Sequence, residues 1–125
     1  MIIKRKGARY PSRAGARIAG LMMGEALLKD LDVVGCCIES SMQADIKSGQ
    51  SYRLEIIPEA ESKVGTFEIR AESRWVRPGE YFCEMGFMIT ASPKGREFMR
   101  YVEYLAWRGS LAARNGVPAA EAPPA

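Results

Sequence analysis

Residues 66–90 alternate between apolar and charged side chains, with one interruption at Arg77-Pro78-Gly79-Glu80. In the first part the apolar or small residues stand at odd positions, which are Phe67, Ile69, Ala71, Ser73 and Trp75. The second part repeats the pattern, and its apolar set is Tyr81, Cys83, Met85, Phe87 and Ile89. A period of two is typical of a half-buried strand, and Pro followed by Gly suits a type II turn. The segment therefore predicts a long antiparallel hairpin.

The rest of the chain adds four shorter predicted strands, at 16–23, 25–31, 35–40 and 52–57. Ser92-Pro93 then predicts the start of a helix, because serine caps helices and proline suits the first helical position. Its apolar stripe, formed by Phe98, Val102 and Leu105, can cover an open side of the sheet. Closure removes exposed strand edges. We therefore predict an all-β fold, a small six-stranded antiparallel β-barrel with one C-terminal α-helix.

The length of 125 residues indicates a single domain. We divide it into a basic N-terminal arm at 1–15, a barrel with its helix at 16–112, and a tail at 113–125. Asn115-Gly116 is a helix stop signal. The tail is rich in alanine and proline and is expected to be disordered.

The positive charge of this chain is concentrated at its N-terminus. Residues 1–17 contain no acid and six cations, so this segment carries +6 and the remainder −3 of the net +3; the cations are Lys4, Arg5, Lys6, Arg9, Arg13 and Arg17. Gly7, Pro11 and Gly15 disfavour a stable helix there. The segment is either a solvated basic tail or an anion clamp, since guanidinium groups grip phosphates and stack on bases.

Histidine is absent, which removes the commonest general base and the commonest metal ligand. We expect no catalytic site and no metal site. Cys36, Cys37 and Cys83 are too few for a disulfide framework, and we interpret them as small buried residues. The longest uncharged stretch, 85–93, is far shorter than the ~20 residues of a membrane-spanning helix. With no secretory signal visible, a cytoplasmic location is expected.

Two motifs stand out against the predicted barrel. Arg9-Tyr-Pro-Ser-Arg13 and Arg13-Ala-Gly-Ala-Arg17 both satisfy R-x-x-x-R, and Asp30-Leu31-Asp32-Val33-Val34-Gly35 lies at a turn between strands. An R-x-x-x-R ahead of the first strand, followed by a D-x-S-x-x-G turn between the second and third, resembles the PilZ domain family. Trp75 followed by Gly86-Phe87 is similar to the V-x-W and G-x-x-F ending of that family. The chain departs from the pattern at Asp32, where the family usually has serine, and either arginine pair could be the family's.

The resemblance implies binding of cyclic di-GMP, with no other cofactor, and signalling to an unidentified effector protein. The residues that it implies as the binding site are Arg9, Arg13, Arg17, Asp30, Asp32 and Gly35. The chemistry agrees, because arginines suit the two phosphates and the guanine faces, and carboxylates can accept the guanine N1–H and N2–H groups. Gly35 would let the backbone turn without a side chain against the ligand.

Other interpretations remain open for the same residues. Asp30 and Asp32 are favoured in turns whatever the function, and Trp75 is expected in the core, although at the barrel rim it could border a stacked base. The alternative function is a PilZ-like adaptor that has lost cyclic di-GMP binding, which Asp32 favours. A basic-arm nucleic-acid binder ranks last, because only Tyr10 offers an aromatic platform in the arm.

Overall fold

The computed structural model describes residues 10–21, 26–42, 45–92 and 95–115, of which 112–115 are described as helical backbone only. Within these ranges the chain forms seven strands and one α-helix. The elements are β1 (Tyr10–Pro11), β2 (Gly15–Ile18), β3 (Ala26–Leu31), β4 (Gly35–Ser40), β5 (Ser51–Ile57), β6 (Phe67–Pro78), β7 (Cys83–Ala91) and α1 (Gly95–Asn115). A 3-10 turn, Ala60–Ser62, lies between β5 and β6.

Six of the strands form a closed antiparallel barrel. Their order is β3-β2-β5-β6-β7-β4, and β4 pairs back onto β3. The two-residue β1 pairs with the same edge of β3 as β2 does. A break at residues 12–14 separates β1 from β2. The predicted six-stranded barrel with one C-terminal helix is confirmed, and β1 is an addition to it.

The start of the barrel differs from the prediction. Residues 10–15, assigned above to the arm, pair with β3 and β5 through their backbone. Strand β2 ends at Ile18, earlier than expected, because the chain turns at Gly20 with a φ of 81°. Residues 1–9 and 22–25 lie outside the described part of the chain.

The long hairpin is confirmed, and its alternation places Phe67, Ile69 and Ala71 of β6, together with Met85 and Phe87 of β7, in the core. The expectation for Trp75 is wrong. A register shift between Ser73 and Trp75 breaks the alternation, so that Val76 packs against the core instead. Trp75 lies half-buried on the outer face of the barrel, against Gly86.

The hairpin loop also differs from the predicted type II turn at 77–80. Pro78 still pairs with Cys83, so the loop comprises residues 79–82. Gly79 has no positive φ, which a type II turn would require there. Glycine is needed for a different reason, since an added Cβ would lie 2.5 Å from the Phe82 carbonyl oxygen.

Helix α1 completes the core. Phe98, Tyr101, Val102 and Leu105 are buried, and the rings of Phe98 and Tyr101 each lie 5.9 Å from the ring of Phe67. The predicted apolar stripe is therefore confirmed. The helix is described from Gly95 to Asn115, so residues 113–115 are helical rather than part of the tail. Pro93, within the predicted helix start, and the tail residues 116–125 lie outside the described ranges.

All three cysteines are buried, as predicted, and Cys36 and Cys83 belong to the core. Among the described residues, no helix is long and apolar enough to cross a membrane.

Candidate ligand-binding site

The turn between β3 and β4 is organised by Asp32. Its Oδ1 accepts hydrogen bonds from the backbone N–H groups of Val34 (2.8 Å) and Gly35 (2.9 Å). The Asp32 N–H in turn donates to the Gly35 carbonyl at 3.0 Å. Both side-chain bonds fall on one oxygen, an Asx-type arrangement that a serine hydroxyl can also make. The Asp32 side chain therefore stabilises the turn of the D-x-S-x-x-G-like motif by bonding to the backbone of the turn itself.

The N-terminal segment enters the barrel at this same turn. In the β1–β3 pairing, Tyr10 lies opposite Leu31 and Pro11 opposite Asp30. The Ser12 N–H then donates to the Lys29 carbonyl at 3.0 Å, and Arg13 follows with an exposed side chain. Arg9 lies outside the described residues. The structure thus pairs residues 10–12 with β3 next to the Asp32 turn, and Arg13 follows them on the side away from that turn.

A row of residues crosses five strands on the outer face beside the turn. Successive pairings join Pro11 to Asp30, Asp30 to Cys37, Cys37 to Gly86, and Gly86 to Trp75. We refer to these five residues as the cross-strand row. At ~4.8 Å between strands, the backbone of Asp30 lies about 10 Å from that of Gly86. Two small residues, Cys37 and Gly86, therefore occupy the row between Asp30 and Trp75.

Gly86 is required beneath Trp75. A Cβ at position 86 would lie 2.2–2.6 Å from three atoms of the indole. The ring consequently lies flat over this part of β7, and the Arg77 guanidinium is 4.7 Å from its centroid. The absence of a side chain at Gly86 thus decides where Trp75 lies.

Glu84 holds two cations beside the row. Its carboxylate accepts a hydrogen bond from the Lys29 ammonium and another from Arg77 Nη1 at 2.9 Å. The bond from Lys29 lowers the pKa of Glu84 and raises that of Lys29. Two cations share one carboxylate, so this edge of the site favours anions.

Arg17 is not brought to this site. Gly15 of β2 pairs with Leu27 of β3, which lies three residues before Asp30. Arg17 lies two residues further along β2, in the direction away from Asp30. At ~3.3 Å per residue, Arg17 lies about 17 Å along the strands from Asp30. Its guanidinium instead pairs with Glu55 of β5 at 3.1 Å.

Comparison with known proteins agrees with this architecture. No protein-family model matches the sequence, and no curated protein matches it. Among solved structures, the Bacillus subtilis inhibitor of motility (MotI/DgrA), a PilZ-fold protein, superposes with a TM-score of 0.69 at 19% identity. The fold is PilZ-like. The match covers 86% of this chain and 52% of that protein, so the chain spans about half its length.

In this PilZ-like barrel, the sequence pattern predicted the turn at Asp32 but gave no sign of the outer-face partners. Lys29, Arg77 and Glu84 come from three strands, and no local pattern joins them. The G-x-x-F resemblance marked Gly86, yet its contact with Trp75 depends on a register shift that alternation does not predict. Gly35 begins β4 opposite Met88, at the turn end of the site.

Proposed function

We propose that this protein is a non-catalytic, cytoplasmic PilZ-like receptor that binds cyclic di-GMP at the cross-strand row and signals to an effector protein. The observation that carries the proposal is the β1–β3 pairing, which starts at Leu31 and Asp30. This pairing sets Tyr10 and Pro11, which lie between Arg9 and Arg13 in the sequence, against the end of β3 that carries Asp30. It supports the inference that cations for the phosphates and acceptors for a guanine edge meet at this end of β3.

Each part of the ligand has a matching group at this site. Arg9 and Arg13 supply charge for the phosphates, and Asp30 is the acceptor for a guanine N1–H and N2–H edge. The Trp75 indole covers Gly86, and the small residue Cys37 is the next one in the row, so we expect a flat base to stack beside the indole on the Cys37 side. Arg77, already above that indole, can stack on a base in the same manner.

Ligand binding would order the arm on the barrel and change the surface that an effector meets. The free energy for this change has to come from stronger ligand binding to the ordered arm. The structural neighbour is named as an inhibitor of motility, which supports signalling by protein contact and a role in motility or surface behaviour.

Calorimetric titration with cyclic di-GMP, with GTP and GMP as controls, tests the proposal. We expect a dissociation constant in the micromolar range or tighter, and Arg13→Ala should weaken binding about tenfold, since one charge-assisted bond is worth ~1.5–3 kcal/mol. Arg53→Ala is the matched control, because Arg53 is an exposed barrel arginine on β5. Arg17→Ala should resemble this control. Equal losses in all three variants would instead indicate diffuse attraction of anions.

The second candidate is a PilZ-like adaptor that does not bind cyclic di-GMP. Asp32 favours it, since it adds a negative charge beside Asp30 where the ligand brings two more. In this case the titration shows no heat with the wild-type protein at any salt concentration. The protein would then act through protein contacts alone.

A further inference from the structure

A buried polar cluster joins α1 to the N-terminal segment. Arg108 donates from Nη1 to Glu59 Oε2 at 3.1 Å and from Nη2 to the Pro11 carbonyl at 2.9 Å. The Tyr101 hydroxyl donates to the other Glu59 oxygen at 2.6 Å and lies 2.7 Å from Ser12 Oγ. We call these groups the Arg108 cluster; its members are Arg108, Glu59, Tyr101, Ser12 and the Pro11 carbonyl.

The direction of the hydrogen bonds follows from the number of protons. Tyr101 gives its single proton to Glu59, so the Ser12 hydroxyl donates to Tyr101. Ser12 Oγ then accepts from the Ala14 N–H at 2.9 Å. A continuous chain of bonds therefore runs from Ala14 through Ser12, Tyr101 and Glu59 to Arg108, and returns to the segment at Pro11.

The cluster is buried, unlike the other ion pairs that the structure describes, each of which has at least one clearly exposed partner. The side chains of Arg108 and Glu59 are 10% and 11% exposed. Tyr101 is fully buried, and burial together with its bond to Glu59 raises its pKa. A buried ion pair costs desolvation and is weak evidence for stability, so its value to a protein can lie in specifying one geometry.

The geometry that this cluster specifies is the path of the chain around Arg13. Pro11, Ser12 and Ala14 are all held, and they flank the one exposed cationic side chain of residues 10–14. The segment forms the break between β1 and β2, where two backbone bonds, from the Ser12 N–H to Lys29 and from the Leu28 N–H to Ala14, hold it to β3, and the cluster adds side-chain bonds from the helix. Tyr10 adds a packing contact, since its ring lies 3.6 Å from the position of a Cβ on Gly109.

We propose that α1 is a positioning element for the ligand-binding segment, in which Arg108, Glu59 and Tyr101 clamp residues 11–14 and so hold Arg13 beside the strand that carries Asp30. The role in binding rests on the proposed function, whereas the clamp itself does not. Removing the clamp should leave the barrel closed but release the segment. Ligand affinity then falls because the segment has to be ordered on binding.

The test compares hydrogen exchange and ligand binding in the full-length protein. Arg108→Met alone leaves Glu59 buried without its cation and can unfold the protein. Arg108→Met/Glu59→Gln therefore serves as the main variant, because it removes the contact with Pro11 without leaving a buried charge. Tyr101→Phe removes only the hydroxyl. Arg100→Met is the matched control on the same helix, where the guanidinium is exposed and bonds to Glu97 and the Lys63 carbonyl.

In the double variant without ligand, we expect the Ser12 and Ala14 amides to exchange roughly tenfold faster, while the amides of β5 and β6 exchange as in the wild type. Tyr101→Phe should show a smaller increase and Arg100→Met none. Affinity for cyclic di-GMP should fall about tenfold in the double variant. A purely structural role would raise exchange across the whole barrel instead.

Two results would overturn the proposal. Unchanged exchange at Ser12 and Ala14 in the double variant means that α1 does not clamp the segment. Faster exchange with unchanged affinity means that the clamp does not position the binding residues. If the wild-type protein binds no cyclic di-GMP, the proposed function and the positioning role fail together, and the exchange result alone decides on the clamp.

Discussion

The surface beside the cross-strand row and the Arg108 cluster contain the same kinds of side chain in opposite environments. Beside the row, Arg77 and Lys29 are 69% and 51% exposed and share Glu84. In the cluster, Arg108 and Glu59 are almost completely buried, with Tyr101 beside them. Each region combines at least one cation, a carboxylate and an aromatic ring. Burial therefore separates a surface that can receive a ligand from a support whose polar groups bond within the protein.

The energetic consequences of the two environments differ. Exposed ion pairs contribute about 0–1 kcal/mol, since water screens them and long side chains lose freedom. Breaking a buried pair costs about 3–5 kcal/mol, because the remaining charge has no water to solvate it. Mutations in the two regions should therefore separate into binding effects and stability effects.

The largest expected effect is that of Arg108→Ala. It leaves Glu59 buried beside Tyr101 and should lower the free energy of unfolding by about 3–5 kcal/mol in urea titration. Arg77→Ala on the outer face is the comparison, with a loss below ~1 kcal/mol. Similar losses in the two variants would contradict the distinction between the regions.

Gly86→Ala should have the next largest effect. The new methyl group would overlap the Trp75 ring, and overpacking of this kind typically costs about 1–3 kcal/mol. In a Trp107→Phe background, the remaining Trp75 fluorescence should shift to the red as the ring is displaced, and cyclic di-GMP binding should weaken. Gly65→Ala is the control, since no atom lies within 4 Å of a Cβ there. An unshifted spectrum would show that Trp75 does not rest on Gly86.

Asp32→Ser should tighten cyclic di-GMP binding by roughly tenfold, or about 1.4 kcal/mol. The substitution removes a charge that repels the ligand, and the serine hydroxyl can still accept the bonds from Val34 and Gly35. Titration at two salt concentrations checks this, because screening should reduce the advantage. Weaker binding by the serine variant would mean that Asp32 contacts guanine directly.

Glu84→Gln should have the smallest effect, below ~1 kcal/mol near neutral pH. Because the bond from Lys29 lowers the pKa of Glu84, its contribution is complete above the unfolded value of about 4.5 and is lost as the pH falls through the folded value. The difference in unfolding free energy between wild type and variant should therefore disappear in acid. If the difference in unfolding free energy persists at acid pH, the effect of Glu84→Gln comes from packing rather than from charge.

Much of the fold could be predicted because its signals are local. Alternation in β6 and β7 reports which side chains face inward, and the spacing of Phe98, Val102 and Leu105 reports one face of a helix. The turn at Asp32 was equally visible, since aspartate bonds to N–H groups only two and three residues away. These features depend on short stretches of chain, which the sequence displays directly.

The sequence by itself determined the long hairpin, the strands β3 to β5, the helix, the burial of the cysteines and the concentration of positive charge at the N-terminus. Only the tertiary structure decided that Arg17 pairs with Glu55, that Trp75 lies outside on Gly86, and that Arg108 holds Pro11. The reason is that these contacts join residues distant in sequence. Barrel register and a bulge set the first two contacts, and the docking of α1 sets the third. A shift of one residue in register turns every side chain of a strand to the other face, and no local pattern specifies which distant partner it then meets.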